Sequence, residues 1–189
     1  GCALGNSVEV DEAVEVLSGG GNKRLRELCA WITAVMLVTG GIVSSPEEGR
    51  RKYEQIIRNG SGFDKLKECI CAQGGDTSWM GIRPLTPDRN VQTLYADRSG
   101  YIEDIDPSVL EHIVMDMGAG RKKKEDPIDP YVGIQLMKEA GDPVTKGEKL
   151  ALLWCGSDAD PANFVKRTET AVRIGTERIE FPLIHKILL

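Results

Sequence analysis

Up to Gln73 the apolar residues of this chain recur at helical spacing, and between Gln73 and Asn90 that spacing breaks off. The gap holds Gly74-Gly75-Asp76 and the prolines Pro84 and Pro87, residues that favour turns and interrupt both helix and ladder hydrogen bonds. Beyond it the apolar runs are shorter and many of them alternate, as strands do. A period that changes across a turn-rich stretch predicts two packing units. The helical one covers residues 1–75, a linker residues 76–90, and a mixed strand and helix unit residues 91–189. A chain of 189 residues has room for two small cores or one large one.

Within the first unit, Asn6 with Glu9 three residues on has the form of a capping box, and Val10, Ala13, Val14 and Leu17 follow at helical spacing. Gly19-Gly20-Gly21 ends that helix. Leu25, Leu28, Cys29, Ile32, Val35 and Met36 make a broad apolar stripe that stops at Gly40-Gly41, which predicts a deeply buried second helix. Ser45-Pro46-Glu47-Glu48 supplies cap, first-turn proline and box for a third helix running to Arg58. Phe63, Leu66, Cys69 and Ile70 mark a short fourth.

In the second unit, residues 91–96 and 101–105 read as strands around a turn at Arg98-Ser99-Gly100. Asp106-Pro107 opens a helix carrying Val109, Leu110, Ile113, Val114 and Met117, and Gly118-Ala119-Gly120 closes it. Strands follow at 132–137 and 150–155, separated by the turn Gly141-Asp142-Pro143. A helix capped by Asp160-Pro161 comes next, and strand-like segments lie around Ile179 and at 184–188. The fold class is α/β to α+β.

Charge and composition exclude several functions. Lys and Arg total 24 against 29 Asp and Glu, a net charge of −5, which argues against a surface built to neutralise nucleic-acid phosphates. The longest apolar stretch, residues 30–38, falls well short of the roughly 20 residues a spanning helix needs, so no membrane partner is expected. Nothing near Gly1 has the form of an export signal, and a chain that opens without Met reads as the tail of a longer one. The five cysteines, Cys2, Cys29, Cys69, Cys71 and Cys155, are odd in number and spaced C-x-C at their closest, which suits reduced core thiols. His112 and His185 lie far in sequence from Cys69 and Cys71, so no zinc set suggests itself. The sequence holds no phosphate loop, nucleophile elbow, HExxH or dinucleotide fingerprint. By residue chemistry alone it does not carry a complete active site.

The run Gly118-Ala119-Gly120-Arg121-Lys122-Lys123-Lys124-Glu125-Asp126-Pro127-Ile128-Asp129-Pro130-Tyr131-Val132-Gly133 closely resembles the C-terminal domain of pyrimidine-nucleoside and thymidine phosphorylases. Gly1-Cys2-Ala3-Leu4-Gly5-Asn6-Ser7-Val8-Glu9-Val10 is similar to the glycine-rich approach to a helix in that family. Ala72-Gln73-Gly74-Gly75-Asp76 resembles the segment before its linker. Tyr95-Ala96-Asp97, Gly100-Tyr101-Ile102 and Pro182-Leu183-Ile184 resemble C-terminal strands of the family, all in family order.

The resemblance implies the helical remainder of the phosphorylase α/β domain, followed by a C-terminal domain with barrel-sandwich-like strands. It implies a cytoplasmic pentosyltransferase that splits a pyrimidine nucleoside with inorganic phosphate as co-substrate, releasing base and ribose or deoxyribose 1-phosphate, with no organic cofactor. It implies a homodimer as well. The family's phosphate-binding and base-binding residues all precede the position of Gly1, so no catalytic or substrate-binding residue maps here, and the upstream half of the same protein is the implied partner. What does map is a cation site behind the phosphate loop, a monovalent or other hard ion held by backbone carbonyls and one Glu. Its positions fall on Ala3 and Glu12, with the other carbonyl just before Gly1; oxygen donors suit hard cations. Glu12 reads equally as a solvated helix carboxylate.

Arg121 to Lys124, beside Glu125 and Asp126, reads as a solvated loop in preference to an anion-steering patch, and His112 and His185 as structural. Two rival functions stand beside the phosphorylase reading. One is a non-catalytic structural module. The other is a biotinyl or lipoyl carrier, because the turn from Gly141 to Leu150 resembles those domains, although Met137-Lys138 precedes the turn rather than following it.

Overall fold

The structure, a computed structural model, describes residues 1–121, 123–156 and 160–187. These form two compact units. One comprises Glu12–Pro84 with Gly1 and residues from Pro182 on, and the other joins Cys2–Asp11 to Leu85–Phe181. Helix α1 (Ser7–Leu17) contributes its first turn to the second unit and the rest to the first.

The first unit is helical. Asn22 caps α2 (Lys23–Thr39), its side chain accepting from the Leu25 N–H at 2.8 Å, a start signal the apolar spacing alone did not give. Ser45 caps α3 (Pro46–Arg58), with Pro46 in the first turn, as expected from sequence. Short α4 (Ser61–Ala72) follows the left-handed Gly60. The α2 and α3 helices meet through small residues: Ala30 and Ala34 are buried, and a Cβ on Gly49 would lie 2.6 Å from the Ala34 Cα. The Arg50 guanidinium closes one side of this contact, stacking on Trp31 and pairing with Glu27 at 2.9 Å.

The expectation that α2 is deeply buried along its large apolar stripe is corrected here. Ile32 is 50% exposed and Met36 68%. At 100° per residue these positions lie about half a turn from Ala30 and Ala34, so the side α3 covers is the small-residue side. The cysteines also depart from expectation. All five are free, but Cys69 and Cys71 are exposed, and only Cys155 is fully buried.

The second unit contains two antiparallel sheets. Strands β1 (Ala3–Gly5), β4 (Gly133–Leu136), β6 (Lys149–Trp154) and β2 (Val91–Tyr95) lie in that order in one sheet. The other has the order β5 (Pro143–Val144), β3 (Gly100–Ile105) and β7 (Val172–Gly175). Helix α5 (Pro107–Val114) is capped by Asp106 and runs into a π-turn at Met115–Ala119; α6 (Pro161–Ala171) is capped by Asp160. Ile102, Leu110, Ile113, Val132, Ile134, Ala151 and Leu153 are the most deeply buried members of one core shared by the sheets and both helices. This is the α+β arrangement of the sequence reading. Its details change in three ways. Strands β1, β5 and β7 are absent from that reading, β2 and β3 belong to different sheets although they read as strands around one turn, and neither the segment around Ile179 nor residues 184–187 pair as strands; Leu188 lies outside the described residues.

Candidate functional site

The N-terminal segment is built into the sheet unit by a series of specific contacts. Strand β1 pairs antiparallel with β4, Leu4 opposite Ile134 and Gly5 opposite Gly133. Gly5 has φ of +144°, and a Cβ there would stand 2.7 Å from the Val132 carbonyl oxygen, so no side chain fits where the two strands close. The chain then turns into α1. Ser7, 2% exposed, donates its N–H to the Pro130 carbonyl, and its hydroxyl accepts from Thr86 Oγ1 at 2.8 Å. Asp11 accepts from two successive backbone N–H groups, Leu85 at 2.6 Å and Thr86 at 2.9 Å. The expected Asn6 capping box is altered: Glu9 accepts from the Gly5 N–H, and the Asn6 amide donates to the Ala119 carbonyl at 2.8 Å. Asn6 thereby ties the start of α1 to the Gly118-Ala119-Gly120 loop.

The two positions singled out for a cation sit as follows. The Leu136 N–H donates to the Cys2 carbonyl, so by the alternation of an antiparallel ladder the backbone groups of Ala3 turn away from β4, toward the open edge of the sheet. That leaves a carbonyl oxygen of the kind a hard cation accepts. Glu12 lies on α1 with its carboxylate against the Gly1 backbone, where a side chain at position 1 would collide with it. The two residues belong to different units. No group of three or more His, Cys, Asp or Glu side chains positioned for a metal occurs among the described residues.

The loop that carried the strongest sequence resemblance is held by its glycine and its carboxylates. Gly118 takes φ of +107° inside the π-turn, and its carbonyl accepts from the Asp129 N–H at 2.9 Å. Asp129 accepts in turn from the Tyr131 N–H, and Asp126 from the Lys123 N–H. Arg121, Lys123 and Lys124 are exposed, as the solvated-loop reading expects; Lys122 lies outside the described residues.

Two of the cavities in the sheet unit are bordered by charged side chains. The larger, about 430 Å³, is lined by Tyr95, Asp97, Arg98, Glu169 and Arg173 over an apolar floor. Both of its arginines already face carboxylates: Arg98 binds Asp97 at 2.6 Å and holds that carboxyl below its ordinary range, and Arg173 lies 3.5 Å from Glu103. The smaller, about 260 Å³, is bordered by Arg89, Asn90, Asp129, Tyr131 and Cys155. Burial pushes the Cys155 thiol up, which keeps it protonated and a poor nucleophile.

A sequence profile of the pyrimidine nucleoside phosphorylase C-terminal domain matches residues 101–175. Over its whole length the chain is 34% identical to a pyrimidine-nucleoside phosphorylase of Staphylococcus haemolyticus and 33% identical to one of Bacillus subtilis. The chain corresponds in sequence to the C-terminal part of pyrimidine-nucleoside phosphorylases. It spans about 43% of the length of each of these relatives.

In this phosphorylase region the matched residues 101–175 run from β3 through β7 and take in the Gly118 loop. Strand β1 and the start of α1 lie outside the match, although β4, Pro130 and Ala119, which hold them, lie within it, and the sequence reading missed these contacts. A serine between Asn6 and Val8 at the start of α1 was the one signal for Ser7; nothing announced Asp11 or Thr86. The histidines are surface residues, His112 bonded to the Ser108 carbonyl through Nδ1 and His185 exposed. Lys138, the residue a carrier domain would need free, is engaged instead: its ammonium pairs with Glu148 at 2.6 Å and donates to the Pro143 carbonyl.

Proposed function

We propose that this chain is the C-terminal part of an enzyme that cleaves pyrimidine nucleosides with inorganic phosphate, giving base and ribose or deoxyribose 1-phosphate, and that it does not catalyse this reaction by itself. One observation carries the reading: the chain aligns from end to end with pyrimidine-nucleoside phosphorylases while covering less than half of them. Phosphate attack on the anomeric carbon requires a seat for the phosphate and stabilisation of the departing base. In this reading both come from the N-terminal part of the enzyme, and the complete enzyme is a cytoplasmic homodimer. Residues 91–189 then form the C-terminal domain with its barrel-sandwich strands, 76–90 the linker, and 1–75 the remainder of the preceding domain, whose first strand joins the sheet of the later one.

The contribution of this chain to the chemistry is indirect. The Ala3 carbonyl and the Glu12 carboxylate are two of the ligands of a hard cation that lies behind the phosphate seat. The hydrogen bonds of Ser7 and Asp11 and the close approach at Gly5 fix the strand that carries Ala3.

Purified chain, alone and mixed with the N-terminal part of the Bacillus subtilis relative, is assayed for phosphate-dependent release of base from thymidine and uridine. The expected result is no release by the chain alone and release by the mixture. Turnover by the chain alone overturns the inactivity, and failure of every mixture favours a structural module. Glu12→Gln is expected to raise the concentration of added cation, monovalent or divalent, needed for activity of the mixture; an unchanged requirement removes Glu12 from the cation site.

A further inference from the structure

Among the described residues, the side of α2 that turns away from α3 carries an apolar face with two exposed large side chains, Ile32 and Met36. Leu25, Cys29, Ile32 and Met36 fall within about 60° of one another around the helix axis, with Leu28 and Val35 along the margin. Half-exposed isoleucine and two-thirds-exposed methionine one turn apart are unusual on a helix whose opposite side is packed tightly enough to require Gly49. The first turn of the same helix is basic as well. It carries Lys23, Arg24 and Arg26 and no acid, against the preference of a helix N-terminus for negative charge. An apolar stripe with a cationic end is complementary to an apolar surface edged by carboxylates.

More than half of each phosphorylase relative lies outside the region this chain matches. We propose that the Leu25–Cys29–Ile32–Met36 face of α2 is the docking surface for that N-terminal part of the phosphorylase, which presents to it an apolar patch bordered by Asp or Glu at the end that Arg24 and Arg26 flank. The proposal rests on the phosphorylase reading and assigns that reading's missing partner a specific place on this chain. It also accounts for why the large residues of α2 face outward while its small residues face α3: the helix has two packing sides, and α3 occupies one.

The test uses the full chain and the N-terminal part of the Bacillus subtilis relative as probe, with complex formation read by isothermal calorimetry and sedimentation. Ile32→Glu and Met36→Glu are each expected to weaken association about tenfold or more, as loss of a central apolar anchor does. Their melting temperatures as isolated chains should be unchanged, because both side chains are exposed. Lys149→Glu, in β6, is the control and should bind as the parent does. Arg26→Glu, at the basic end of the stripe, should weaken association and flatten its salt dependence. Binding of the two α2 variants with parental affinity overturns the proposal, and so does a chain that pairs with itself through this face and ignores the probe. A complex that forms and is active but is indifferent to Ile32→Glu sinks the surface and leaves the phosphorylase reading intact. A complex broken by Ile32→Glu that never releases base has the opposite meaning. No complex at all defeats both.

Discussion

Replacing Gly49 with alanine sets two effects of opposite sign against each other in α3. In the interior of a helix the exchange is favourable by about 1 kcal/mol, because glycine leaves the backbone freer in the unfolded chain. Against this, the new Cβ would stand 2.6 Å from the Ala34 Cα and 3.0 Å from both its Cβ and its carbonyl oxygen. Carbon atoms sit comfortably at about 3.5–4.0 Å, so α2 and α3 must separate by roughly 1 Å. Two of the three atoms met are backbone, which cannot rotate aside, and forced repacking of this kind costs about 1–3 kcal/mol. With backbone atoms met at 2.6 and 3.0 Å the cost lies in the upper part of that range, about 2–3 kcal/mol, so the clash wins and the expected net loss is about 1–2 kcal/mol. Gly62→Ala in α4 is the contrast, since its Cβ would meet only the side-chain ends of Ile56 at 3.0 Å and Leu17 at 3.2 Å, which can shift. Urea unfolding followed by the fluorescence of Trp31, which sits at the α2 and α3 contact, measures both. A Gly49→Ala chain as stable as the parent, or a Gly62→Ala chain that loses more, refutes the argument that backbone proximity decides the sign.

The Tyr53 hydroxyl is buried without a hydrogen-bond partner among the described residues, so Tyr53→Phe is expected to keep or raise stability by up to about 1 kcal/mol, and a clear loss in urea would mean the hydroxyl is bonded. Asp11→Ala leaves the Leu85 and Thr86 N–H groups without their acceptor and is expected to cost about 1–3 kcal/mol, whereas a melting curve within a degree of the parent would reduce this pair of bonds to a surface contact. The Glu148 carboxyl is held below its usual range, first by the hydrogen bond from Lys138 and then by the Thr145 N–H. A depressed carboxylate lends stability above its unfolded value and gives it up as pH falls through the folded one. Its NMR titration should therefore have a midpoint below that of an ordinary glutamate, and Lys138→Met should move it up; an unmoved midpoint rules out Lys138 as the main cause.

Where local chemistry decides structure, the sequence was readable. Ser45-Pro46, Asp106-Pro107 and Asp160-Pro161 each place a cap and a fixed φ at a helix start, and all three helices begin there. The runs behind β2, β3 and β6 become strands, but β2 pairs with β6 and β3 with β5 and β7, so the turn at Arg98-Ser99-Gly100 joins two sheets and not two paired strands. What stayed hidden depends on partners distant in sequence. Ala3-Leu4-Gly5 is too short to show a period, and only β4 makes it a strand. Val172-Arg173-Ile174-Gly175 follows α6 without a break and becomes β7 because β3 offers an edge. The α2 stripe told correctly that the helix has an apolar side but not which side α3 would take, since Ala30, Ala34 and Gly49 carry little hydrophobic signal. For the site, spacing brought out neither Ala3 nor Glu12; both came from resemblance, and the Asp11 and Ser7 contacts came from neither source.

The pairing of Ala3 with Gln135 has a consequence for how the chain matures. The two strands are separated by about 130 residues, and a ribosome adding about 5–20 residues per second leaves the first waiting roughly 7 to 26 seconds for the second to be made. Through that interval β1 has no ladder to join. Once β4 emerges, its outer N–H and C=O groups stay open until a strand made much earlier returns to cover them, which is a slow, nonlocal closure. A truncated chain beginning at Leu85 would never complete that step. It would keep most of the core of the second unit but present β4 as a bare edge, and its predicted failing is recruitment of other strands along that edge rather than loss of helix or sheet content.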